Sequence, residues 1–79
     1  MTLYELANNT TIQGNVDITY FEGNGNEQGD MTFSYVEDLS GHLGELPEGW
    51  EDCEVRFIWP AADGWLHIEI YAEEEEDYD

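Results

Sequence analysis

Lysine is absent from this chain and arginine occurs once, at Arg56, against 20 aspartates and glutamates. The resulting formal net charge of -19 excludes direct binding to DNA, RNA or an anionic membrane. Such contacts need Lys and Arg to displace counterions from phosphates. Without lysine there is also no Schiff-base chemistry and no phosphate loop ending in that residue. A single cysteine, Cys53, cannot close an internal disulfide. No stretch approaches the ~20 apolar residues of a membrane-spanning helix. The N-terminus also lacks the charged region and apolar run of a signal peptide, so the expected location is the cytoplasm.

Metal and catalytic signatures are equally thin. His42, His67 and Cys53 stand at none of the short spacings that mark a zinc site. Cys53 sits between Asp52 and Glu54, where no positive charge would favour a thiolate. No Ser, His and Asp arrangement carries a recognisable turn around its serine. The expectation is a protein that is not an enzyme, with no catalytic residues, no metal site and no cofactor. In "NGNEQGD", Asn24, Asn26 and Gln28 match the spacing of a calcium loop. They are neutral amides, however, and the twelfth position is Tyr35 where a Glu is needed, so the stretch reads as a hairpin turn.

What is present is sufficient for folding. Hydrophobic residues make up 41% of the 79 and aromatics 14%, which argues against a wholly disordered acidic chain. A domain this size buries only ~60% of the surface its unfolded chain exposes, leaving room for one modest core. "TLYELANNT" reads as a short helix, with Thr2 as N-cap, Glu5 completing a capping box, and Leu3, Leu6 and Ala7 on one face.

Two period-two stretches flank the Asn- and Gly-rich turn, with Val16, Ile18 and Tyr20 before it and Met31, Phe33 and Tyr35 after it. A register with Glu22 opposite Gly29 pairs Tyr20 with Met31, Ile18 with Phe33 and Val16 with Tyr35. A second hairpin, "CEVRFIWP" and "WLHIEIYA" around "AADG", would pair Trp59 with Leu66, Phe57 with Ile68 and Val55 with Ile70 on its apolar face. The opposite face then pairs Ile58 with His67, Arg56 with Glu69 and Glu54 with Tyr71. Residues 38 to 52 read as a loop with one helical turn at most, anchored by Leu39, Leu43, Leu46 and Trp50.

These elements predict an α+β domain over residues 1–72: a short N-terminal helix plus a four-stranded antiparallel sheet built from two β-hairpins. A small β-sandwich of the two hairpins is the competing packing. Residues 73–79, "EEEEDYD", read as a disordered acidic C-terminal tail.

The pattern "TLYELA", "IQGNVDI", "LPEGWEDCEVRFIW" and "LHIEI" resembles short, uncharacterised acidic proteins carried by phages and mobile elements of gut Firmicutes. The resemblance spans most of the chain apart from the tail and implies no catalytic residue. It implies a defence-related or host-interaction role, since small acidic proteins of mobile elements include DNA mimics.

Solubility of so small a body needs a net charge of only about 2 to 8, so the acidic surface calls for another explanation. The reading is a protein–protein interaction module, a DNA-mimic-like binder of a basic, nucleic-acid-binding partner. Its partner-binding residues would be Glu45, Glu48, Glu51, Asp52, Glu54 and Glu69, with Trp65 and Tyr71 as apolar anchors and the acidic tail adding charge. Arg56 and Glu69 would form a structural ion pair. One alternative is an accessory protein that binds through exposed aromatics, its charge serving solubility. A weaker one is a divalent-cation binder. Oligomeric state and strand order stay open at this level.

Self-repulsion among so many carboxylates destabilises the compact state and is screened by salt. The melting temperature is therefore expected to rise between low and moderate ionic strength. A thermal melt that is flat or falling with added salt would contradict this.

Overall fold

The computed structural model describes residues 1–72; the expected acidic tail, residues 73–79, lies outside the described residues. Helix α1 (Leu3–Asn9) opens the chain and closes the predicted capping box. Thr2 Oγ1 accepts from the Glu5 amide at 3.1 Å, and Glu5 Oε1 accepts from the Thr2 amide at 2.9 Å. The N–H donated to Glu5 holds its carboxyl below the usual carboxylate range. Leu3 and Ala7 are buried and Leu6 packs against the core, as the helical spacing predicts.

Strands β1 (Gly14–Phe21), β2 (Glu27–Val36), β3 (Glu54–Pro60) and β4 (Trp65–Tyr71) form one sheet in the order β2-β1-β4-β3. Both predicted hairpins are present, but the sheet is mixed, because β1 and β4 join them in parallel. That corrects the expectation of a wholly antiparallel sheet, and the single sheet replaces the sandwich alternative. The inward residues of the two central strands account for the seam: Val16 and Ile18 lie directly beside Leu66 and Ile68. β-Branched residues favour a pleated, buried surface, and Val16, Ile18, Ile68 and Ile70 are all fully buried. The segment expected as a loop forms two 3-10 helices, Leu39–Glu45 and Trp50–Asp52. Its anchors behave as predicted: Leu39, Leu43 and Leu46 are buried with α1 over the same sheet face, and Trp50 stacks on Tyr20.

Both registers depart from the expected ones. In the first hairpin the chain reverses earlier: the Glu22 amide donates to Asn26 at 2.9 Å, and Gly25 takes the left-handed conformation at φ 92°. Tyr20 thus faces Gly29, Ile18 faces Met31 and Val16 faces Phe33. A slip of two positions leaves every side chain on its face, so alternation alone cannot detect it. Near Gly14 the ladder breaks into a bulge in which Tyr35 adopts φ 55°, and its amide donates to Asn15 Oδ1 at 2.9 Å. The bulge turns Tyr35 outward at 83% exposure and brings Val36 into the core, correcting the inward assignment of Tyr35.

In the second hairpin, Pro60 pairs with Leu66, Trp59 with His67, Ile58 with Ile68 and Phe57 with Glu69. The expected register returns only at Val55 with Ile70 and Glu54 with Tyr71. The extra residue between the two registers is Arg56, at the bulge. Phe57 and Trp59 consequently leave the core side and face outward, while Ile58 lies opposite Ile68 on the core side yet stays 47% exposed on this edge strand. The outer edge of β3 is partly occupied: the Val55 amide donates to Met1 at 2.8 Å and the Leu3 amide to Cys53 at 3.0 Å.

The bulge at Tyr35 gives a paired expectation. Val36→Ala removes buried methyls and should cost roughly 1–3 kcal/mol. In Tyr35→Gly, release of a left-handed L-residue worth roughly 1–2 kcal/mol is set against a glycine entropy cost of about 0.5–1 kcal/mol. Its melting temperature should be unchanged or higher. Chemical denaturation of both variants checks this, and a large loss in Tyr35→Gly with a silent Val36→Ala would restore the original register.

Candidate interaction face

α1, the 3-10 helices and the Leu-bearing segments all pack on one side of the sheet, and no described element covers the other. Alternation places three rows on the uncovered face. Across β2, β1, β4 and β3 the first is Thr32, Asp17, His67 and Trp59. The second is Asp30, Thr19, Glu69 and Phe57, and the third begins with Glu27, Phe21 and Tyr71. Acids and aromatics therefore share one surface.

The side chains engage one another. Trp59 stacks on His67 with centroids 4.2 Å apart and donates its indole N–H to Glu69 Oε2 at 2.7 Å. Phe21 stacks on Tyr71 at 4.7 Å, and Phe57 meets Tyr71 edge-on at 6.3 Å. Arg56 does not take the expected pairing with Glu69. Its Nε donates to Glu54 Oε1 at 3.0 Å, and its guanidinium lies over the Tyr71 ring, 4.6 Å from the centroid. The bulge explains the exchange, because it puts Phe57 where Arg56 was expected to face Glu69. Both partners are about half exposed, so the ion pair contributes at most about 1 kcal/mol.

The Asp17 carboxyl is perturbed by its surroundings. Its side chain is only 18% exposed, and Oδ1 is buried without a hydrogen-bond partner. Oδ2 lies 3.6 Å from His67 Nδ1. Burial raises its pKa above the ordinary value, and Asp30, diagonally across the strand pair, raises it further by like-charge repulsion and by hydrogen-bonding the protonated form. The attraction of His67 opposes these effects and is smaller than the burial effect. Asp17, Asp30, Glu69, Phe21 and Trp59 are among the walls of a recess of about 320 Å³.

The sequence-predicted partner residues do not share one surface. Glu69, Tyr71 and Trp65 alternate on β4 and point to the uncovered face, and Glu54 joins them at the start of β3. Glu48 and Asp52 instead line a second recess, of about 700 Å³, with Tyr20, Trp50 and Cys53 on the covered side. Glu51 lies in the second 3-10 helix, and Glu45 accepts from or donates to His42 Nδ1 at 2.6 Å, according to the proton's position. Phe57, Trp59, Asp30 and His67 escaped the sequence reading as parts of the site. For Phe57 and Trp59 the only sequence signal is the unbroken apolar run Phe57, Ile58, Trp59, which can turn either its ends or its middle outward; Asp30 and His67 stand out only by alternation with Met31 and with Leu66 and Ile68.

Among the described residues, no three His, Cys, Asp or Glu groups converge to hold a metal ion. The Asn-rich stretch is a turn in which Asn24 Oδ1 accepts from the Asn26 amide at 3.1 Å. No helix of the described residues is long and apolar enough to cross a membrane. No family model, curated protein or solved structure matches the chain.

The raised pKa of Asp17 makes stability depend on pH with a definite sign. Between the unfolded and folded values the native state binds more protons, so stability falls as pH rises through that window and stays reduced above it. Asp17→Asn should therefore melt higher than the parent at pH 7, with the difference shrinking as pH approaches about 4, where the unfolded carboxyl titrates. An equal or lower melting temperature for the variant at pH 7 would show that His67 outweighs the burial.

Proposed function

We propose that this protein is a small acidic interaction module that binds a basic, nucleic-acid-binding protein, with the uncovered sheet face as its contact surface. The observation that carries the reading is the composition of that face: Phe57 and Trp59 are 55% and 44% exposed among Asp17, Asp30 and Glu69. Exposed aromatics supply interface energy when they become buried, and fixed carboxylates around them steer a cationic partner and discriminate against others. Ordered strands hold those charges in rows, as a duplex holds its phosphates. The resemblance to acidic proteins of mobile elements favours a partner in the host's nucleic-acid machinery.

A second reading draws on the same exposed rings: an accessory protein that binds through Phe57 and Trp59, its charge serving solubility. The two differ in what abolishes binding. Immobilised protein should capture basic, nucleic-acid-binding proteins from a bacterial lysate at low salt, release them as salt rises, and lose them to competing duplex DNA. Neutralising Asp30, Glu54 and Glu69 together should abolish that capture. Recovery of no basic protein would count against the first reading, and so would capture indifferent to salt and DNA. Loss of capture only on replacing Phe57 and Trp59 would favour the second.

A further inference from the structure

The two edges of the sheet are finished differently. Along β3 the Met1 carbonyl accepts from the Val55 amide, Thr2 bridges to Glu54, and Pro60 has no N–H to offer. The ten-residue strand β2 contains no proline, and no described residue pairs along its outer side. Its ladder fixes which backbone groups are open. The Ala72 amide donates to the Phe21 carbonyl, so Phe21, Thr19 and Asp17 turn their backbone groups toward β4, and Tyr20, Ile18 and Val16 turn theirs toward β2. Gly29, Met31 and Phe33 answer them, which leaves the N–H and C=O groups of Asp30 and Thr32 directed outward.

We propose that this outer edge of β2 pairs with an extended segment of the basic partner, which adds a strand beside residues 28–34. The inference rests on the interaction reading given above and specifies how the contact is made. An unpaired strand edge is a template for another chain: main-chain hydrogen bonds supply affinity, and alternate side chains supply selectivity. Selection here works on both sides of the sheet. On the uncovered face the added strand lies beside Asp30 and Thr32, with Glu27 at one end, so cationic residues fit there. On the covered side it lies beside Met31, partly buried against the core, and Phe33, so the intervening residues should be apolar. The fitting segment therefore alternates basic and apolar residues. A second copy of this chain is the poorer occupant, since it brings a charge of -19 against -19. The acids that repel a copy attract a cationic strand, so the sign of the edge charge chooses the partner.

The test is an NMR titration of the isotope-labelled full chain with a short peptide of alternating Lys and Val. Two controls keep its sequence and charge, one N-methylated at the Lys residues and one at the Val residues. Antiparallel pairing uses the N–H groups of the first set and parallel pairing those of the second. The unmethylated peptide should slow exchange of the Asp30 and Thr32 amides about tenfold or more, and should bind about tenfold more tightly than one of the two controls. Thr32→Pro removes one outward N–H at an edge position where proline is tolerated, so it should stay folded and weaken binding of the peptide to a similar degree. Equal binding of all three peptides, or shifts confined to the Trp59 and Glu69 face, overturns strand addition and leaves the acidic interaction reading standing. Protection of Asp30 and Thr32 without peptide, rising with protein concentration, gives the edge to a second copy and also overturns it. If no peptide binds at low salt, strand addition falls, and the lysate capture decides the interaction reading separately.

Discussion

Fold and exposed face alike depend on the seam between β1 and β4. Val16, Ile18, Ile68 and Ile70 are fully buried along it, and they place each hairpin's most apolar strand at the centre of the sheet. Every other element takes its position from that choice. β2 and β3 become the edges, and α1 with the leucines of the 3-10 segment closes over the side where these four residues point. The opposite side is left to the alternate residues of the same strands, which are Asp17, Thr19, His67 and Glu69. Because side chains alternate with period two, burying one set necessarily presents the other.

A net charge of -19 restricts what that presented set can do. The acids cannot all be paired when the chain has one arginine, so they are spaced along strands and bracketed by rings instead. Trp59 and His67 stack beside Asp17, the Trp59 indole bonds Glu69, and Arg56 bridges Glu54 and Tyr71. Turning Phe57 and Trp59 outward gives the indole N–H a carboxylate partner, which the core side would not provide. The bulge at Arg56 permits this without moving β4, whose inward residues keep their places.

Local chemistry was the legible part of the fold. The Thr2 and Glu5 capping box spans four residues and needs no tertiary information, so α1 appears where its sequence places it. Both hairpins and the leucine anchors follow from hydrophobic spacing in the same way. The registers were not legible, because a two-residue slip at Tyr20 and Gly29 preserves every face, and a bulge at Tyr35 or Arg56 has no fixed signature when neither residue is glycine. The site was legible in part. Glu69 and Tyr71 could be assigned to the wet face from β4 alone, whereas Trp59 could not, since Phe57, Ile58 and Trp59 are apolar in succession.

Composition by itself determined that this protein carries a strongly negative surface over a small core, and periodicity determined its helix and its four strands. Those properties are sums over residues or patterns among near neighbours. Tertiary structure alone decided that β1 meets β4 in parallel, that Tyr35 yields its inward place to Val36, and that Arg56 answers Glu54 rather than Glu69. Each of these turns on how separate segments share one core. Among packings with the same alternation, the one that closes the Val and Ile seam also decides which rings and carboxylates face the solvent together.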